Sequence, residues 1–230
     1  MGSESTDIIG LLEHVQESGA LENLAPPLQV ALFLGAMSLL TMGLVSLTAF
    51  TRIVIVLSFV RRALTTQEIP PNPVILGLAI FMTVFVMAPT FQRITDDAIQ
   101  PYLAGDMSTT VVIRAGSVHL HDFMVHQTRR KDLAVFIHMS GSEFPETPAA
   151  TPMRILIPAF IISELKTSFI MGFLIYIPFL LIDLVVATVL MSLGMMMMPP
   201  AMMSLPIKIL LFIFVDGWQL VTQALSASFG

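Results

Sequence analysis

The sequence predicts an all-α chain of membrane type: hydrophobic helices paired into two hairpins, with a small helical extracytoplasmic domain between them. Three observations carry this. The mean hydropathy is +0.85, with 55% hydrophobic and 12% charged residues, where a soluble domain carries about 25% charged. The apolar residues gather in runs, the longest able to cross about 30 Å of hydrocarbon. Ordinary soluble composition is confined to Arg93–Arg154, which holds six basic and seven acidic residues and four of the five histidines. With no cysteine there is no disulfide framework, no thiolate metal site and no cysteine nucleophile. The net charge of −5 argues against nucleic-acid binding, which needs a cationic footprint.

Residues 1–27 read as an N-terminal extracytoplasmic segment. Ile8, Leu11, Leu12, Val15 and Leu21 have roughly helical spacing. No cationic stretch precedes the first apolar run, so the start does not resemble a secretory signal peptide.

Residues 28–92 form the first hairpin. No charge lies between Glu22 and Arg52, and the apolar run resumes at Ile53–Val60. As one helix, Leu28–Val60 would be roughly 50 Å long, so it must tilt, break or project beyond the bilayer. A second uncharged run extends from Ile69 to Gln92. The prolines at 70, 71 and 73 keep the connection non-helical. Arg52, Arg61 and Arg62 lie toward this end, whereas only acids (Glu4, Asp7, Glu13, Glu17, Glu22) precede Arg52. The positive-inside rule then places the arginine loop in the cytoplasm and the N-terminus outside. Counting crossings puts the middle region and the C-terminus outside too.

Residues 93–154 form the extracytoplasmic domain. Asp122–Met139 shows helix-like apolar order, and Ser140–Thr151 reads as a loop. Residues 155–230 form the second hairpin. Its first run, Ile155–Ser163, contains Pro158 and is too short to span; Thr167–Ser192 and Leu205–Thr222 follow.

His119, His121, Asp122 and His126 offer ligand chemistry, but nothing completes a metal-site pattern. The motifs of hydrolases, nucleotide-binding loops and zinc proteases do not occur. No enzyme activity, cofactor or metal is expected. The charges within or beside apolar runs say more. Asp183 and Asp216 sit among aliphatic and aromatic residues, where a carboxylate costs roughly 2.5–3.5 kcal/mol at the bilayer centre. Glu164 and Lys166 are two residues apart, on different helix faces, and cannot satisfy each other. Lys208 and Asp216 would be ~12 Å apart along one helix. Each needs a partner from another helix or another subunit. Two isolated acids suit buried or interface glue better than a proton relay, which lines a path with several titratable groups; a proton-coupled small-solute transporter is the rival of a different class.

Met195, Met196, Met197 and Met198 stand between Gly194 and Pro199–Pro200. Four successive helical residues would face all sides, and the glycine and prolines break the helix there. Broken backbone within a membrane protein is tolerated where it is buried in protein or lines a cavity. Thioethers are unbranched, polarizable and adaptable, so such turns can close a ring as a hydrophobic constriction.

The segments Phe50–Arg61, Pro70–Asn72 and Gly77–Ala79 resemble the first hairpin of the FliP family. Phe123–Met124, Gln127–Arg129 and Asp132–Ala134 resemble its periplasmic region. Pro158–Phe160, Ser163–Thr167, Ile182–Ala187, Gly194–Met197, Pro199–Pro200 and Val215–Trp218 resemble its second hairpin. The likeness runs from about Leu32 to Trp218, with Ala104–Val118 the poorest match. It implies a pore subunit of the flagellar type III export gate in the bacterial inner membrane, at the flagellar basal body. It also implies a pentamer assembled helically with FliR and FliQ, the export-gate protein FlhB as a further partner, and unfolded flagellar subunits as cargo. The family's methionine gasket maps to Met195, Met196 and Met197, with Met198 extending it. The injectisome homologue is the related alternative.

Overall fold

The computed structural model describes residues 25–64, 69–145, 147–195 and 198–230. The amphipathic segment expected before residue 25, part of the arginine loop, and Met196 and Met197 lie outside the described residues. Those described form helices and connecting turns, with no strand among them.

Helix α1 (Pro26–Leu47) starts on two prolines, whose missing N–H groups cost nothing in a first turn. The overlong apolar run is resolved by a break. Thr48 is extended (φ −120°, ψ 178°), and its hydroxyl accepts the Phe50 N–H at 3.3 Å. The Thr51 hydroxyl donates back across the break to the Val45 carbonyl at 2.7 Å. Helix α2 (Phe50–Ala63) then buries Ile53, Val56, Leu57, Val60 and Ala63 on one stripe. Four β-branched residues in succession, Ile53–Val56, are weak helix formers; burial of this stripe sustains the helix. Arg61 and Arg62 occupy its last turn, where cations complement the helix dipole. Arg61 also hydrogen-bonds Asn72 at the start of α3, closing the hairpin.

Helix α3 (Asn72–Ile94) continues through a π-helical turn (Thr95–Ile99) into the short α4 (Gln100–Leu103), making one rod that stops at Gly105 (φ +83°). Helices α5 (Thr109–Gln127) and α6 (Arg130–Met139) follow. The helix-like order of Asp122–Met139 is thus split between two helices. Thr128 and Arg129 are extended, and the Arg129 N–H donates to the Ser163 hydroxyl at 2.9 Å, pinning the corner.

The largest departure from expectation is α7 (Met153–Ser192), one helix of 40 residues, about 60 Å long. The run with Pro158 does not stand apart from the next one. Loss of one N–H near the first turns is outweighed by burial of Ile155, Leu156, Ala159 and Phe160 against Met124, Leu133 and Ile137. Further along, α7 packs on α2. A Cβ on Gly172 would lie 2.5 Å from the Phe59 ring, so the close approach requires glycine there. Phe59 meets Phe169 edge-on at 5.5 Å. Through these contacts α7 serves two cores, one with α5 and α6, the other with α2 and α3.

The final apolar run is also not one helix. Helix α8 (Pro200–Phe214) and α9 (Gly217–Ala227) meet at a 63° bend. Asp216 takes the left-handed conformation (φ 49°, ψ 51°), which Asp tolerates better than bulkier residues. A Cβ on Gly217 would collide with the Phe212 ring, which instead meets Trp218 edge-on at 5.3 Å. Lys208 and Asp216 therefore do not share a helix.

Gly172→Val should force α7 away from α2 and cost about 1–3 kcal/mol, as overpacking does. A lowered Tm of the purified protein, against an unchanged Tm for an exposed control such as Phe173→Leu, checks this.

Candidate functional site

Three features stand out: two charge nodes and the methionine turn. The first node is built on Arg52, which α2 turns inward rather than toward the loop. Its side chain is 2% exposed and that of Glu164, from α7, is fully buried. The guanidinium grips Glu164 through Nε (2.9 Å to Oε2) and Nη2 (to Oε1). Nη2 also donates to Gln127 Oε1 of α5 at 3.1 Å. Nη1 donates to the Ser228 carbonyl and hydroxyl at 2.7 and 3.0 Å. The five donors of an arginine are thereby matched. The Phe229 ring lies 3.9 Å from the guanidinium carbon, a cation–π contact. Arg52 is thus not grouped with Arg61 and Arg62, which lie two to three turns further along α2.

The second node joins α7 to α8. Lys208 Nζ sits 2.6 Å from Asp183 Oδ2, and the Ser204 hydroxyl donates to Asp183 Oδ1 at 2.6 Å. Lys208 is 1% exposed and Asp183 31%. Lys208 and Ser204 are one turn apart on α8, so both reach the same carboxylate. Lys166 turns elsewhere, to Asp132 of α6 at 3.3 Å. The structure therefore brings together Arg52 with Glu164 and Lys208 with Asp183, and it separates Glu164 from Lys166. Ser204 and Ser228 are not singled out by the sequence, and Gln127 and Asp132 appear there only as family-like residues, not as charge partners. A lone polar residue carries no periodic signal, and its partner lies far off in the chain.

His119, His121 and His126, the three candidate ligands of the middle region, disperse. His119 meets Asp97 at 2.9 Å, His121 the Thr151 carbonyl at 2.7 Å, and His126 its neighbour Asp122. Among the described residues no group of three or more His, Asp or Glu could hold a metal.

The methionine turn begins where α7 ends. Gly194 is left-handed (φ +74°). Its N–H bonds the Met191 carbonyl at 3.1 Å, and the Met195 N–H reaches back to Leu190 at 3.0 Å. These two bonds form a Schellman cap, which satisfies carbonyls that would otherwise be orphaned. Pro199 and Pro200 then start α8. Met195 and Met198 are 40% and 38% exposed, and Met191, Leu193, Met202 and Met203 are exposed beside them.

Among the described residues three helical stretches are long and apolar enough to cross a bilayer, and the bent α8–α9 pair supplies a fourth if it is one span. This is the architecture of a helical membrane protein. Its family comes from comparison. The model of the FliP family matches residues 33–225. A flagellar biosynthetic protein FliP from Bacillus subtilis is 49% identical over 208 residues, 90% of this chain and 94% of the relative. One from Pectobacterium carotovorum is 51% identical over 203 residues, covering 87% and 78%. One from Caulobacter vibrioides is 48% identical over 204 residues, covering 87% and 77%. The chain belongs to the FliP family.

Removing one partner of the Arg52–Glu164 pair should cost about 3–5 kcal/mol, because it strands a buried charge. Arg52→Met with Glu164→Leu should recover most of that. Thermal unfolding of both single variants and the double variant gives the cycle; a double variant as unstable as the sum of the singles would contradict it.

Proposed function

We propose that this chain is a non-enzymatic pore subunit of a flagellar protein export gate in the bacterial inner membrane, at the flagellar basal body. Several copies, a pentamer by resemblance to the family, surround a channel together with FliR and FliQ, next to FlhB. Unfolded flagellar subunits pass through it. Met195–Met198 seal the channel at rest and yield to a passing chain. The observation that carries this reading is the methionine turn. It is capped at Gly194 by two backbone hydrogen bonds, and it presents Met195 and Met198 half-uncovered among exposed apolar neighbours in the single chain. Adaptable thioethers on a fixed turn suit a seal that must fit many side chains while excluding water.

The charge nodes fit the same reading. Asp183 is already held by Lys208 and Ser204, so it joins helices rather than offering an empty coupling-ion site. This weighs against a proton-coupled transporter. The family's relatives carry the flagellar name, which favours the flagellar over the injectisome gate. The N- and C-termini are assigned to the extracytoplasmic side on the positive-inside reading of Arg61 and Arg62.

Alanine at 195 through 198 should leave assembly intact and raise ion leak several-fold, measured as resting conductance across membranes holding the complex. Asp183→Asn should reduce recovery of the oligomer instead. Intact assembly with lost proton coupling in Asp183→Asn would favour the transporter.

A further inference from the structure

We propose that α9 is a hinged arm, pivoting at Asp216–Gly217 and latched at its far end by Arg52 and Gln127. This goes beyond the seal: it assigns a movable element to the second hairpin. The pivot is the left-handed Asp216 at the 63° bend, which has no side-chain cap. Between pivot and latch, α9 buries only Gly217, Val221 and Leu225, a single narrow stripe.

The latch is made largely of backbone. Arg52 Nη1 holds the Ser228 carbonyl, and Gln127 Nε2 donates to the Phe229 carbonyl at 3.0 Å. The Phe229 ring meets both the Arg52 guanidinium and Phe123, whose ring is stacked on it at 6.4 Å. Opening the latch frees Arg52 Nη1 and Gln127 Nε2. Arg52 keeps Nε and Nη2 on Glu164 and Gln127, so no buried charge is stranded. The weak link of the node is therefore the arm, while the Arg52–Glu164 pair stays closed. Gln127 belongs to α5, so the latch also ties the arm to the extracytoplasmic domain. Ser204 and Lys208 lie on α8 between the methionine turn and the bend, so the arm continues from the helix that leaves that turn.

Amide hydrogen exchange on the assembled, membrane-extracted full chain tests this. Phe229→Ala, which removes the cation–π contact and leaves Gln127 on Arg52 Nη2, should speed exchange across Gly217–Ala227 about tenfold. Exchange in α2 and in the Phe160–Gly172 part of α7 should stay as in the parent. Unchanged exchange in α9 would overturn the latch, and so would an equal rise in α2 and α7, which would mark the node as undivided core. Phe229→Leu keeps the apolar contact and removes the cation–π contact. It should accumulate normally with a smaller rise confined to α9, and its failure to accumulate would make the segment a fold determinant and overturn the hinge.

Discussion

A helix forty residues long, apolar along most of its length and carrying carboxylates at 164 and 183, persists only if each carboxylate meets a cation from another helix. An unpaired charge in such surroundings costs several kcal/mol. Arg52 answers Glu164 from α2, and Lys208 answers Asp183 from α8. Nineteen positions separate the two carboxylates, about 28 Å along α7. The two pairs thus fix the neighbours of α7 at two levels, and the methionine turn hangs from the lower one.

The division of labour along α7 follows. Its first turns belong to the core with α5 and α6, where Phe160 and Leu156 are buried. Its later turns face α2 and then α8, and run on largely uncovered toward Gly194. An element about twice as long as a bilayer is thick cannot lie wholly within lipid. Its uncovered apolar flanks, with those of α1 and α3, call for lipid or further protein chains.

The class of the fold was legible because hydrophobic runs are a cumulative signal. The first run was visibly too long, but the place of its break was not. Thr48 and Thr51 stabilise that break through hydrogen bonds that no periodicity announces. Pro158 was read as punctuation, whereas burial of its neighbours carries the helix through it. The bend after α8 was not legible, since Leu205–Thr222 reads as one apolar run and the left-handed Asp216 leaves no mark in the pattern. Among the site residues, each buried charge advertised a need for a partner, yet Arg52 and Glu164 are 112 positions apart, a pairing that only packing reveals. Gly194 with the two prolines was the most readable feature, since the chemistry of a helix stop is local.

The central claim is that methionine turns from several copies converge on one axis. The chain has no cysteine, so single cysteines introduced at 195 and 198 report without background. Oxidative crosslinking of the assembled complex in membranes tests the claim most directly. Convergence predicts covalent links between neighbouring copies, rising to a closed ring, together with modification by small thiol reagents admitted from the aqueous side. Monomers alone after oxidation, with the thiols reached only by lipid-dissolved reagents, would put the turns on the outer rim and contradict the claim.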